Sequence, residues 1–354
     1  MARGLRDRDG IVTREGLIFR VYGYAHPPAG YVCDVEYAPA TIYRSSDAKA
    51  LREGGRGRYF KFFEDKGLTF VARKYPHYQV YYRPLRRWLV GVPHRDIDEA
   101  RRPRQALQRL VRREGKDELI HALKQTLHQI TAISHLTTRD FGVFGSLLHD
   151  FYHPRYSDID FTVMGKARVR ELRDVLATLY SERSGLLINE FAAPQTWSKD
   201  AWKFTNLSLS EYAWHQRRKL LYGTYVGPAS TRRINVEFEP VKADGPSLND
   251  YDANTRVHPL GWIEAQGRIT EDADGGFMPA VYGFEVDDSS HPRADDVSRI
   301  VSYVEEYRMQ VRTGERVFVA GHLERVTSLR SPVHQITLSY GPRYYEQTLK
   351  TLKG

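Results

Sequence analysis

The stretch that decides the fold is residues 141–165, which read FGVFGSLLHDFYHPRYSDIDFTVMG. Its first six residues, FGVFGS, form a short apolar run that ends in small residues and predicts a strand followed by a turn. The segment DIDFTVMG (158–165) alternates acidic and apolar side chains and predicts a second strand. Residues 147–157 provide one short helix and a turn, which would bring the end of the first strand opposite the acidic residues.

The acidic strand carries Asp158 and Asp160. Residues two apart in a strand point to the same face, and two adjacent carboxylates repel each other and resist removal from water. A divalent cation would offset both charges, and carboxylate oxygens suit Mg²⁺ or Mn²⁺. The alternative is an edge strand whose aspartate pair faces water.

Gly145 and Ser146 are the candidate phosphate-binding residues. Glycine allows the backbone to approach a ligand closely, and free N–H groups at a turn that enters a helix can bind phosphate. The serine hydroxyl can add one further hydrogen bond. A Gly-Ser dipeptide alone would predict nothing; its position just before the acidic strand gives it meaning.

The string GS, eleven residues, then DIDF resembles the signature of the DNA-polymerase-beta-like nucleotidyltransferase superfamily. The resemblance covers about residues 118–240 and implies a third carboxylate on a later strand. The segment INVEFEP (234–240) supplies it. The family often shows an acid followed by two apolar residues and a proline, which selects Glu237; Glu239, which would share its face, is the second candidate. Many relatives have Asp at this position, so a Glu changes the reach of the side chain.

This resemblance implies an enzyme that moves NMP, with AMP as first candidate, from an NTP to an acceptor hydroxyl and releases pyrophosphate. The implied catalytic residues and ligands of two Mg²⁺ or Mn²⁺ ions are Asp158, Asp160 and Glu237. The implied NTP-binding residues are Gly145 and Ser146, together with Lys219 or one of the two arginines that precede it. The basic charge of the chain favours RNA as the acceptor.

The predicted fold class is α/β (or α+β): a nucleotidyltransferase core with a small mixed sheet and helices mainly on one face. The predicted domains are a β-rich N-terminal module (1–97), a catalytic domain with its preceding helices (98–257), and a β-rich C-terminal module (258–354). Closely spaced strands in the last module favour a barrel or sandwich, with an OB-like barrel among the options. Residues 296–309 are predicted to form a short helix there.

Composition narrows the function classes. The 354 residues include 53 Lys and Arg against 44 Asp and Glu, giving a net charge of +9 and a pI near 9.4. This balance favours acidic partners, with nucleic acid or nucleotide first; a basic surface that serves solubility alone is the alternative. The segment from Tyr78 to Trp88 interleaves aromatic residues with arginines and predicts either RNA contact or a half-buried sheet with basic edges.

Cysteine and hydropathy exclude several kinds of site. Cys33 is the only cysteine, which excludes internal disulfides and cysteine zinc sites, and no disulfide-linked partner is expected. His149 and His153 have a spacing that can bind zinc on a helix, but Pro154 would end that helix. The sequence shows no signal peptide and no apolar run long enough to span a membrane, so a cytoplasmic protein without a membrane partner is predicted.

The chain as a whole also resembles an uncharacterised archaeal family of predicted nucleotidyltransferases. The segments that carry this resemblance are GLIF (16–19), FMPAVY (277–282) and VAGHLERV (319–326). Two further functions stay open. One is an RNA-binding or assembly protein with a degenerate transferase core, and the other is a nucleotidyltransferase that acts on a protein or a small molecule.

Overall fold

Three β-sheets, with eight, five and six strands, organise the residues that the computed structural model describes. Those residues are 4–54, 57–114, 117–153, 155–182, 185–192, 202–228, 230–245, 249–292, 296–329 and 332–352. Strands account for 38% and helices for 26%, with six α-helices in the described ranges.

These sheets overturn the predicted fold class. The expected core with a small mixed sheet is wrong, because three large sheets dominate the chain and strands outnumber helices. The apolar pattern identifies each strand separately, whereas the size of a sheet depends on pairings between segments distant in sequence. The strands that precede and follow the acidic segment along the chain therefore form most of the sheet structure.

The chain divides into two compact units, each built from more than one stretch. The first comprises Met1–Tyr82, Arg86–Asn189 and Gly223–Tyr251. The second comprises Arg83–Leu85, Glu190–Tyr222 and Asp252–Gly354.

The eight-stranded sheet lies in the first unit. Its strands are β1 (Gly10–Thr13), β2 (Ile18–Val21), β3 (Gly30–Pro39), β4 (Leu51–Gly54), β5 (Gly57–Lys61), β6 (Gln79–Tyr82), β7 (Arg87–Pro93) and β8 (Ile97–Arg101). The order is β4-β5-β3-β2-β1-β8, while β7 pairs with β3 and β6 pairs with β7.

Helix α1 (Lys66–Lys74) packs on this sheet and buries Val71 in the core that contains Phe19 and Val35. The N-terminal module predicted to be β-rich (1–97) thus contains a helix, because packing on the sheet overrides the β-type composition of this segment.

The five-stranded sheet also belongs to the first unit. Its strands are β9 (Phe141–Val143), β10 (Ile159–Met164), β11 (Leu187–Asn189), β12 (Tyr222–Tyr225) and β13 (Ile234–Val241), in the order β11-β12-β13-β10-β9. The helices along this part of the chain are α2 (Pro103–Arg112), α3 (Glu118–Ala132), α4 (Gly145–His149) and α5 (Lys166–Ser181). Strand β10 pairs in parallel with β13 and antiparallel with β9. The two strands predicted in residues 141–165 are confirmed.

The second unit contains α6 (Leu209–Lys219) and the six-stranded sheet. Its strands are β14 (Arg256–Asp274), β15 (Ala280–Ser289), β16 (Val297–Ser302), β17 (Arg316–Thr327), β18 (Val333–Leu338) and β19 (Thr348–Thr351). Pairings run β14-β15-β16-β18-β17 and return to β14, so five strands form a closed ring in which β16 and β18 are parallel. Ring closure removes the free edges of these five strands.

In the second unit α6 begins with a capping box that Ser208 and Glu211 form. The helix predicted at 296–309 is wrong, because Val297–Ser302 is a strand between β15 and β18. Val297, Ile300 and Val301 fit a helical spacing, but all three are buried within the barrel, and pairing on both sides decides the structure.

Two further findings concern membranes and thiols. None of the helices in the described ranges combines the length and the apolarity needed to cross a bilayer. The Cys33 thiol is buried in the core of the eight-stranded sheet and donates to the carbonyl of Tyr31 at 3.4 Å. Burial raises the pKa of this thiol, which makes it unreactive.

Candidate functional site

The site is built on the parallel pair β10 and β13. In their register Asp160 lies directly opposite Glu237. The next pair, Phe161 and Phe238, stacks with ring centroids 5.4 Å apart and points into the apolar core. Because side chains alternate along a strand, Asp160 and Glu237 point to the other face. The apolar pair therefore fixes the register that brings the two acids together.

Asp158 directly precedes β10 and has the same parity along the chain as Asp160. Its side chain is 46% exposed, and Oδ1 lies 3.9 Å from Nη1 of Arg232. The Arg232 guanidinium also donates to the carbonyl of Ser157. Burial raises the pKa of Asp158, while Arg232 opposes that shift. Asp158 is thus partly open to solvent and lies beside a guanidinium.

The carboxyl group of Asp160 is held in an environment that disfavours its charge. Burial raises its pKa to about 7, and the negative charge of Glu237 adds to the effect. Asp158 and Glu36 act in the same direction, while Lys61 opposes it. Near pH 7 this carboxyl group therefore holds a proton much of the time, unless a cation offsets the neighbouring negative charge.

The Gly-Ser turn lies against Asp160. Gly145 has φ +58, and a Cβ at this position would stand 2.6 Å from Oδ2 of Asp160. The N–H of Phe144, just before the turn, donates to the carbonyl of Asp160 at 3.0 Å. Only glycine therefore permits this approach without displacing the carboxylate, which explains the residue type that the sequence pattern singled out.

Ser146 is buried, and its hydroxyl donates to the hydroxyl of Ser157 at 3.1 Å. The hydroxyl of Ser157 also accepts the N–H of His153 at 2.7 Å. These bonds tie the Gly-Ser turn to the residue that precedes Asp158. The Ser146 hydroxyl, which was predicted to contact phosphate, is thus engaged in a hydrogen bond that stabilises the loop.

The two candidates for the third acid have different surroundings. Glu239 is buried, and its Oε2 accepts a hydrogen bond from Nη2 of Arg8 at 2.7 Å, with the Arg8 side chain fully buried as well. The guanidinium of Arg8 also lies 5.2 Å from the ring centroid of Phe144. Glu237, by contrast, lies opposite Asp160 and raises its pKa. The register thus associates Glu237 with the aspartates and Glu239 with Arg8.

The donor set fits a hard divalent cation in its chemistry. Asp158, Asp160 and Glu237 offer carboxylate oxygens, and the pKa of Asp160 is raised first by burial and then by the negative charge of Glu237. The three groups do not converge as a finished cage, since no three His, Cys, Asp or Glu side chains in the described ranges are close enough together to hold a metal ion. The three acids thus lie on one face of the sheet, but their carboxylates are not close enough together to form a metal site.

The residues beside the site that sequence reasoning missed come from the eight-stranded sheet. Lys61 at the end of β5 lowers the pKa of both Asp158 and Asp160. Glu36 on β3 has the opposite effect on Asp160, and its own pKa is raised by burial. The hydroxyl of Tyr37, the next residue, lies 4.0 Å from the Cβ position of Gly145. These residues lie about a hundred positions before the acids, and no motif marks them.

Two other predicted positions have established partners. Lys219 lies in the second unit, is 1% exposed, and donates from Nζ to the carbonyl of Glu306 at 2.5 Å. The Nδ1 atom of His149, considered for zinc, lies 2.9 Å from Nη1 of Arg101. Because arginine can only donate, that nitrogen is an acceptor in this structure. His149 is therefore engaged with a cation.

The comparisons with known proteins identify a similar archaeal protein. No protein-family model matches the chain, and no solved structure matches it. An uncharacterised protein of Methanocaldococcus jannaschii is 25% identical over 335 residues, an alignment that covers 91% of each chain. The chain is thus similar along nearly its whole length to an uncharacterised archaeal protein.

Proposed function

We propose that this chain is a metal-dependent nucleotidyltransferase that moves NMP, with AMP as first candidate, from an NTP to an acceptor hydroxyl. RNA is the favoured acceptor, since the chain carries a net charge of +9. One observation carries the proposal: Asp160 and Glu237 are opposite each other on parallel strands, and Gly145 lies against Asp160. A turn suited to phosphate thus adjoins a group of carboxylates.

In the proposed reaction the acceptor hydroxyl loses its proton to solvent and its oxygen bonds to the α-phosphorus of the NTP. The bond from that phosphorus to the bridging oxygen breaks, which releases pyrophosphate. Asp158, Asp160 and Glu237 would hold Mg²⁺ or Mn²⁺. The cation, when bound, supplies positive charge that stabilises the leaving group and lowers the pKa of the attacking hydroxyl. Most of the work of the protein is positioning and electrostatic stabilisation.

The residues around the acids have distinct roles in this proposal. Gly145 lets the turn that would bind the triphosphate approach the Asp160 carboxylate, and Ser146 ties the turn to Ser157. Lys61 takes the cationic role beside the phosphates, because its charge already acts on Asp158 and Asp160. Lys219 is a weaker candidate for that role, since its ammonium group is bonded to a backbone carbonyl.

The test is incubation of the full chain with each α-labelled NTP, Mg²⁺ or Mn²⁺, total cellular RNA and a protein fraction. Label in RNA with stoichiometric pyrophosphate release supports the proposal. The double variant Asp158→Asn/Asp160→Asn should lose transfer, while Asp174→Asn, an exposed carboxylate on α5, should keep it. Full transfer activity in the double variant would refute the assignment of the site.

The second candidate function is RNA binding or assembly without transfer. The observation that favours it is the incomplete convergence of the acids, since the described residues contain no three-ligand metal group. Such a protein would bind RNA with a steep salt dependence and would incorporate no label from any NTP. Label in the protein or small-molecule fraction alone would instead identify a nucleotidyltransferase with a different acceptor.

A further inference from the structure

The hairpin of β6 and β7 presents two large aromatic side chains to solvent. Tyr81 and Trp88 are direct cross-strand partners, and their rings lie 5.4 Å apart at 64°. Tyr81 is 44% exposed and Trp88 is 60% exposed. Cross-strand aromatic pairs stabilise hairpins, but this role does not require that most of the indole surface faces water. The exposed ring faces are therefore available to a ligand.

The surroundings of this pair are strongly basic. From Lys66 to Arg95 the sequence contains seven Lys or Arg residues and no Asp or Glu. Arg86 and Arg87, next to Trp88 in the chain, are exposed, and neither forms an ion pair with any described residue. A stretch of one sign raises the local positive potential and attracts polyanions.

The position of the hairpin in the sheet leaves it accessible. Among the described strands β6 pairs only with β7, so β6 is at the edge of the eight-stranded sheet. Gln79 lies two residues before Tyr81 on the same face and is exposed as well. An extended ligand chain can lie along the polar and aromatic face of such an edge hairpin without disturbing the core.

We propose that Tyr81 and Trp88, flanked by Arg86 and Arg87, bind single-stranded RNA. Aromatic faces stack on unpaired bases, and arginines contact the phosphates between them. Charge complementarity selects a polyanion, and the two rings select one with exposed planar bases. The choice of RNA over DNA rests on the proposed function, whose acceptor is RNA; the stacking surface itself rests only on the hairpin.

The test is binding of the full chain to a labelled single-stranded RNA of about 12 nucleotides, without NTP and with EDTA. Trp88→Ala and Tyr81→Ala should each weaken binding about 10-fold, while Trp88→Phe keeps most of the affinity because it keeps a stacking face. Tyr340→Ala is the matched control, since Tyr340 is 51% exposed and its hydroxyl lies beside Glu306. Replacing Arg86 and Arg87 by Gln should reduce the salt slope by roughly 0.7 for each arginine.

Several outcomes would overturn this assignment. They are unchanged RNA affinity in Trp88→Ala, equal losses in Trp88→Ala and Tyr340→Ala, tighter binding of duplex RNA, and tighter binding of the DNA strand of the same sequence. Because the assay contains neither NTP nor metal, its result is independent of catalysis. Transfer without this binding would refute the RNA surface alone, and binding without transfer would refute the proposed function alone.

Discussion

Glu237 and Glu239 are two residues apart on one strand, yet their environments are opposite. Glu239 pairs with the buried guanidinium of Arg8, so its charge is compensated. Glu237 faces Asp160, and each carboxylate makes the charge of the other less favourable. A buried acid with a buried arginine is a structural ion pair, whereas adjacent acids with raised pKa are typical of functional sites. The comparison therefore assigns Glu239 to stabilisation of the fold and identifies Glu237 as the residue suited to a functional role.

The largest effect should come from breaking the structural pair. Arg8→Leu removes the buried guanidinium that pairs with Glu239, and we expect the first unit to lose about 3–5 kcal/mol of stability. The measurement is denaturant unfolding followed by a probe in the first unit. The double variant Arg8→Leu/Glu239→Leu should recover most of the loss, because it removes both charges. A loss below about 1 kcal/mol in the single variant would show that the pair is dispensable.

The second effect concerns Asp160 and depends on pH. An acid whose folded-state pKa is raised to about 7 from 3.8 destabilises the fold when ionised; the penalty is absent below about pH 4, grows through the interval between the two values, and is complete above pH 7. Asp160→Asn should therefore stabilise the protein at pH 8, on the order of 1–3 kcal/mol, and have little effect at pH 4.

Thermal unfolding at both pH values, in EDTA and with Mg²⁺, measures this difference. Mg²⁺ should raise the unfolding temperature of the wild type at pH 8 and have less effect on Asp160→Asn. Asp174→Asn provides the control for loss of one carboxylate. Equal stabilisation at pH 4 and pH 8 would contradict the raised pKa.

The smallest effect on stability should come from Gly145→Ala. Its φ of +58 costs roughly 1–2 kcal/mol for a residue with a Cβ, and that Cβ meets the Asp160 carboxylate at 2.6 Å. Gly57→Ala is the matched control, because Gly57 has φ +102 but, its chain neighbours aside, no atom of the described residues lies within 4 Å of its Cβ position. Transfer should be lost in Gly145→Ala and retained in Gly57→Ala. Comparable activities in the two variants would mean that the approach to Asp160 does not matter.

The sequence predicts the proximity of Gly145, Asp160 and Glu237 better than it predicts the fold. Asp160 and Gly145 follow from local signals, namely side-chain alternation and a small residue after an apolar strand, whereas Glu237 follows from the third acid that the family resemblance implies. The register then depends on apolar neighbours such as Phe161 and Phe238, which the same pattern contains. Residues that lie within one strand–turn–strand segment can be placed together because few chain reversals separate them.

The remainder depends on contacts between distant segments. Lys61 and Glu36 reach the acids from a sheet that sequence reasoning treated as a separate module. Helix α1 forms in a β-type segment because it covers the sheet, and β16 is a strand because the barrel has strands on both sides of it. Propensity cannot reveal these outcomes, since tertiary packing overrides it.

The strand order of the five-stranded sheet has a consequence for synthesis on the ribosome. Strand β13, which carries Glu237, is the last of the five to be made, yet it lies between β12 and β10. Until residue 241 has emerged, the nascent sheet consists of two separate halves, β9 with β10 and β11 with β12. The acidic face is therefore completed only when the late strand inserts between them, after the whole 190–222 segment of the second unit has been translated.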